Sequence, residues 1–164
     1  MFKRNSILAL IGTFMITIMV GCGVGNETTL EKIERKGEMT FAMTGAYPPF
    51  NFIDEDGELQ GFDIDIANAL AEKLGVKAVP QTTVWDGIIT GLQGKRFDTI
   101  IGSMAITEER KEQVGFTKPY YIDGAQLFVK ADSNITDIQA IGDGEIGIVT
   151  GTTFQEFLMN EMNI

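Results

Sequence analysis

The chain has 164 residues, 44% of them hydrophobic, with 23 acidic against 13 basic residues, no histidine and one cysteine. Without histidine there is no Ser-His-Asp triad, no Cys-His pair and no ordinary His-containing zinc site, and a lone cysteine forms no internal disulfide or Cys-rich metal cluster. A formal charge of −10 argues against a nucleic-acid partner, which demands a basic face, and the hydrophobic content is that of a globular domain rather than an acidic tail.

At the amino end, Lys3 and Arg4 precede an apolar run from Ile7 to Val20, broken only by Gly12, Thr13 and Thr17. The run is shorter than the roughly 20 residues of a membrane-spanning helix. A basic start, a short apolar core and small residues at its end predict a secretory signal over residues 1–21. Met19-Val20-Gly21-Cys22 resembles the lipobox of bacterial lipoproteins, with Met19 where leucine is more usual. That resemblance implies cleavage before Cys22 and a thioether-linked diacylglycerol on it. Each buried acyl methylene contributes about 0.8 kcal/mol, so such chains hold a soluble domain at a membrane. Loss of Lys3 and Arg4 with the signal takes the formal charge from −10 to about −12. Residues 22–36 read as a tether and lead-in, flexible from Gly23 to Thr28.

From Met39 onward strand and helix patterns alternate. Met39–Met43 reads as a short apolar strand, and Phe50–Ile53 and Leu59–Phe62 flank the hairpin signal Asp56-Gly57. Phe62, Ile66, Ala69, Leu70, Lys73 and Leu74 recur at helical spacing, with Gly75 as the stop. Val76–Val79 follows as a strand. Asp86 is expected to cap a helix carrying Ile88, Ile89 and Leu92. Phe97–Gly102 reads as a buried strand, and Thr107 as the cap of a short polar helix through Gln113. Ala125–Val129 and Ile146–Val149 read as further strands, and Thr153–Met159 as the start of a helix. This alternation predicts an α/β fold with a largely parallel sheet, in which ligands bind at the carboxyl ends of strands.

Some chemical-looking motifs fail on context. Gly142-Asp143-Gly144-Glu145-Ile146-Gly147 matches GxGxxG, yet its glycines precede a strand pattern instead of opening a helix, as a dinucleotide site requires. An EF-hand register on Gly57 makes Phe52 the first ligand, which has no oxygen to offer, so Asp54-Glu55-Asp56-Gly57 reads as a hairpin tip. Asp63 and Asp65, two apart on a helix, point in different directions and favour the helix's positive end rather than sharing a substrate proton. No cofactor or metal site is expected.

Three loops do converge at the carboxyl ends of strands. Gly45-Ala46-Tyr47-Pro48-Pro49-Phe50 follows the first strand, with two prolines restricting how Tyr47 is presented. Trp85-Asp86-Gly87 follows the second and holds the only tryptophan. Gly102-Ser103-Met104-Ala105-Ile106-Thr107-Glu108-Glu109-Arg110 follows the third. With these loops the sequence Gly61-Phe62-Asp63-Ile64-Asp65-Ile66-Ala67-Asn68-Ala69-Leu70-Ala71-Glu72-Lys73-Leu74 resembles the signature helix of bacterial extracellular solute-binding proteins for polar amino acids. Phe97-Asp98, Phe116-Thr117-Lys118-Pro119-Tyr120-Tyr121 and Gly151-Thr152-Thr153 occur in that family's order, so the resemblance spans roughly residues 30 to 158.

The resemblance implies a periplasmic binding protein-like type II fold, two lobes closing on an amino acid that passes to an ABC permease and its ATPase. It divides the chain into lobe one (37–124) and a crossover with an incomplete lobe two (125–164), nearly all of lobe one plus the start of lobe two. It implies that Arg110 holds the ligand α-carboxylate, which a guanidinium grips with two parallel N–H bonds. Backbone N–H groups near Met104 and Ala105, and at the helix start at Thr152 and Thr153, are implied as further donors. Ser103 orients the α-ammonium, and Tyr47 and Trp85 sandwich the ligand side chain. Phe50 and Phe52 are expected to pack inward, Tyr120 and Tyr121 near the crossover between lobes.

The chain departs from the family pattern in three places. Ala105 stands where many relatives carry Ser or Thr against the ligand amino group. Thr44 stands where binders of basic amino acids often carry an acid, which disfavours such ligands. The residues that complete lobe two and supply an aspartate to the ammonium are expected beyond Ile164. The leading expectation is a monomeric, lipid-anchored, extracytoplasmic amino-acid receptor, truncated at its carboxyl end. The alternatives are a periplasmic dehydratase acting on prephenate or arogenate, which requires a positioned proton donor, and a remnant without a transport role.

Overall fold

The computed structural model describes residues 27–161, so the signal and Cys22 lie outside the described residues. Helix α1 (Thr29–Lys36) opens the described chain within what reads as lead-in. Its signal is a capping box: Thr28 Oγ accepts from Glu31 N–H, while Glu31 reaches back to the Thr28 N–H. The helix buries Ile33, and Gly37 closes it in the left-handed conformation.

Strand β1 (Glu38–Met43) is the centre of the main sheet. It pairs in parallel with β5 (Lys77–Thr82) along its whole length and with β6 (Thr99–Ile100) at Phe41 and Ala42, in the order β5-β1-β6. Phe41, Ala42 and Met43 are fully buried, as a strand covered on both faces must be. Burial of each large side chain contributes about 1.5–3 kcal/mol. A second, antiparallel sheet joins β2 (Ala46–Tyr47), β3 (Asn51–Ile53) and β4 (Leu59–Gln60), with the Asp54–Glu58 turn at the expected hairpin tip.

Helix α2 (Phe62–Leu74) ends at Gly75 as its pattern predicts and packs Ala67 and Ala71 against Met39, Phe41 and Ile101. It begins at Gly61, whose φ of 124° lies in the region open to glycine. A Cβ there would collide with the backbone carbonyls of Pro49 and Phe50, so α2 and the loop after β2 meet backbone to backbone. On the other face, Ile88 of α3 (Ile88–Gln93) and Phe97 cover Ala42.

Four expectations need correction. Asp86 does not cap α3: Trp85–Gly87 is a 3₁₀ turn entered from extended Val84, so Asp86 is already inside a helical turn and α3 starts behind Gly87. The Phe97–Gly102 strand is regular only at Thr99–Ile100, although backbone bonds from Asp98 to Thr40 and from Ile101 to Ala42 extend the pairing. Thr107 does cap α4 (Glu108–Lys111), but the helix stops before Gln113, whose N–H turns back to Arg110 in a tightened last turn. Ala125–Val129 and Ile146–Val149 form no ladder among the described residues, because an apolar pattern becomes a strand only when a neighbour takes its N–H and C=O groups. Phe128 there is 85% exposed. After the 3₁₀ turn Ile138–Ile141, helix α5 (Thr153–Glu161) ends the described chain. No described helix is long and apolar enough to cross a membrane.

Candidate functional site

The parallel sheet puts Met43, Thr82 and Ile100 at one edge, since Met43 is in register with Thr82 and Ala42 with Ile100. The three loops singled out in the sequence therefore leave from the same edge. Trp85, Met104, Arg110 and Gly151 line an open groove of about 260 Å³ there, floored by Ile88 and Ile89.

Arg110 is the third residue of α4, set there by the Thr107 cap, whose Oγ accepts the Arg110 N–H at 3.2 Å. Its guanidinium lies 5.3 Å from the centre of the Trp85 ring, a cation–π arrangement. Nη1 donates to the Ala105 carbonyl at 2.7 Å and Nη2 to the Gly151 carbonyl at 3.1 Å. Burial pulls the Arg110 pKa down, against the opposing influence of Glu109 and Glu156. No carboxylate forms an ion pair with it among the described residues. The Trp85 indole donates to the same Gly151 carbonyl at 3.0 Å, so one oxygen gathers both side chains.

The Gly151-Thr152-Thr153 segment is held as a helix entrance. Gly151 N–H donates to Gln155 Oε1, Thr152 Oγ donates to the Val149 carbonyl and accepts from Gln155 N–H, and Thr153 is the first residue of α5. The Thr153 side chain lines a different groove, with Glu156, Phe157 and Asn160.

Tyr47 is not brought onto Trp85. It stacks on Phe50 with ring centres 5.0 Å apart, and Phe50 in turn meets Phe62 and Tyr121. Burial, then the negative charges of Asp123 and Asp63, push its phenol pKa up. Thr44 turns its hydroxyl onto Asn51 Oδ1 at 3.1 Å.

Ser103 takes φ 50°, unusual for a residue with a side chain. Its Oγ donates to Asp63 at 2.9 Å and its N–H to Tyr120 Oη at 3.0 Å. Tyr120 Oη donates to Asp63 at 2.7 Å, and Asn51 Nδ2 does so at 2.7 Å. Burial and the Asp63 bond push the Tyr120 pKa up to about 12. Asp63 is fully buried, whereas Asp65 faces solvent, so the two do diverge; both stand in the first turn of α2, and Asp63 is in addition a hub of polar contacts. The signal for it was its place four and eight residues before Ala67 and Ala71, on the buried stripe of α2. The hub sits behind the Ser103 loop and ties it to the Tyr47 loop through Asn51 and to the crossover through Tyr120.

The family model of the bacterial extracellular solute-binding proteins, family 3, matches residues 39–162. The chain is similar to the L-cystine-binding protein TcyJ of Escherichia coli K12, 35% identical over 92% of this chain and 58% of that protein. It is also similar to the arginine-binding periplasmic protein of Mannheimia haemolytica, 33% identical over 90% of this chain and 56% of that one. The chain thus spans little more than half the length of these relatives. Among solved structures, the ancestral amino acid-binding protein AncCDT-1, a precursor of cyclohexadienyl dehydratase, superposes with a TM-score of 0.76 at 38% identity, covering 80% of this chain and 60% of that one. The arginine-bound form of domain 1 from TmArgBP superposes with a TM-score of 0.54 at 41% identity, covering 55% of this chain and 71% of that one.

Proposed function

The chain belongs to the bacterial extracellular solute-binding proteins, family 3, and from that premise we propose that it captures an α-amino acid outside the cytoplasm for an ABC importer. Supporting this, relatives along most of the chain are named as cystine-binding and arginine-binding proteins. The observation that carries the reading is Arg110, a half-buried guanidinium over Trp85 whose acceptors are two backbone carbonyls. A ligand carboxylate exchanges for the Gly151 carbonyl and adds a charge-assisted, two-pronged contact. Backbone N–H groups of Met104 and Ala105 and those at Thr152 and Thr153 add donors, Ser103 meets the ammonium, and Trp85 covers the side chain. Tyr47, which rests on Phe50, is proposed to meet the opposite face of the ligand side chain.

The proposed ligand is polar or neutral. Thr44 offers no charge to a basic side chain. Lobe one is assigned to residues 37–124 and the crossover with the start of lobe two to 125–164. Cys22 is proposed as the lipid attachment point that keeps the receptor at the membrane near its permease.

A thermal-shift panel of the twenty amino acids and L-cystine tests this directly, since ligand stabilises by RT ln(1 + [L]/Kd). Stabilisation by a polar or neutral member is expected, and a flat panel at millimolar ligand overturns the reading. Arg110→Lys keeps the charge but loses the fork, and is expected to weaken binding about tenfold or more. Unchanged affinity in that variant removes Arg110 from the site.

A second reading is enzymatic, favoured by the similarity to a protein described as a precursor of cyclohexadienyl dehydratase. Turnover of arogenate or prephenate by the purified protein establishes it; amino-acid binding without turnover rejects it.

A further inference from the structure

Asp63 is fully buried, and no cation pairs with it among the described residues. A domain that only needed packing at this point of α2 would lose nothing by an apolar residue, because an unpaired buried charge is costly. The carboxylate is instead satisfied by neutral donors from three directions: Asn51 Nδ2 at 2.7 Å, Tyr120 Oη at 2.7 Å and Ser103 Oγ at 2.9 Å. A serine hydroxyl has one proton, and here it is committed to Asp63. The backbone of the same residue is tied to the same carboxylate, because Ser103 N–H donates to Tyr120 Oη, which donates on to Asp63. Both constraints act on a residue held at φ 50° in the loop that runs into the groove.

We propose that Asp63 is a specificity-determining positioning residue, which by taking the only proton of Ser103 leaves that oxygen to face the ligand purely as an acceptor. The α-substituent that fits an acceptor backed by a buried negative charge is an ammonium. A neutral hydroxyl donates more weakly, and an oxo group, itself an acceptor, is turned away. The site therefore selects amino acids over the hydroxy and oxo acids of the same carbon skeleton, although Asp63 touches no ligand. This deepens the amino-acid reading and rests on it.

The probes are the L-amino acid that most stabilises the wild-type protein in the panel above and its 2-hydroxy acid, with Kd measured for both by calorimetry at one pH. Wild type is expected to favour the amino acid at least about tenfold, the worth of one hydrogen bond to a charged group. In Asp63→Asn the buried charge behind Ser103 is removed, and because the Asn51 Nδ2 donor holds the amide oxygen on its own side, the amide nitrogen faces Ser103 Oγ, so the preference narrows by about tenfold. A merely structural role predicts otherwise: both ligands weaken together and their ratio stays put, which overturns the proposal. Should Asp63→Asn not fold, Ser103→Ala decides, since it removes the acceptor and must erase the preference; retention of the full ratio overturns the proposal. A wild-type protein that binds both acids equally overturns it while leaving the amino-acid site standing. A protein that binds no member of the panel overturns both.

Discussion

Asp98 shows how a single acid can fasten three elements. Its side chain is 2% exposed, with Lys32 Nζ of α1 at 2.6 Å and both the hydroxyl and the N–H of Thr40 in β1 on its second oxygen. Burial pushes its carboxyl up, but the bonds from Lys32 and Thr40 outweigh that and hold it below the ordinary value of 3.8. A carboxyl lowered by folding contributes stability that is present above the unfolded value and is lost as pH falls through the lower folded one. Asp98→Asn is therefore expected to cost about 2 kcal/mol near neutral pH and to flatten the loss of stability on acidification below pH 3.8, read from urea midpoints across pH. An acid limb as steep as wild type would place the pH sensitivity elsewhere. Phe97-Asp98 was visible in the sequence as a motif. Its partners were not, because Lys32 and Thr40 lie 66 and 58 residues away.

At the scale of elements, local signals served well wherever an element is completed by its own residues. Helix α2 begins and ends where the apolar period and Gly75 place it, and the Asp56-Gly57 hairpin forms. Helix α1 was equally legible from Thr28 and Glu31, but its short amphipathic stretch reads as a lead-in until Ile33 is seen in the core. The close backbone approach of α2 to the β2–β3 loop requires glycine at Gly61. Gly61→Ala is expected to destabilise by at least about 2 kcal/mol, because it combines a forbidden backbone conformation with a clash against two carbonyls. The drop would appear as a lowered urea midpoint at unchanged m value, and a loss under about 0.5 kcal/mol would mean that the loop moves aside freely. Where an element needs a distant partner, as at Ala125–Val129 and Ile146–Val149, the same kind of reading overreached.

For the whole molecule, loops from separate elements meet in a groove at one sheet edge. The open groove holds about 260 Å³ and is contributed by loops from the carboxyl ends of β5 and β6, with Gly151 brought in from beyond the crossover. The proposed lipid anchor belongs to this scale as well. Cys22→Ala is expected to move the protein, expressed with its whole amino-terminal segment, from the membrane fraction to the medium or periplasm, because the two acyl chains of a diacylglycerol dominate partitioning. Equal membrane recovery of both forms would rule out a lipid anchor at Cys22. The sequence by itself determined the α/β alternation, the parallel core around Met39–Met43, the loops that carry Trp85 and Arg110, and the family, since all follow from local period, turn chemistry and motif order. Only the tertiary structure decided that Tyr47 leans on Phe50, that Gly151 binds both Trp85 and Arg110, and that Asp63 is the buried hub behind Ser103. Those are contacts between residues up to 66 positions apart, and hydrogen-bond partners at that range are chosen by how the chain packs, which no local pattern encodes.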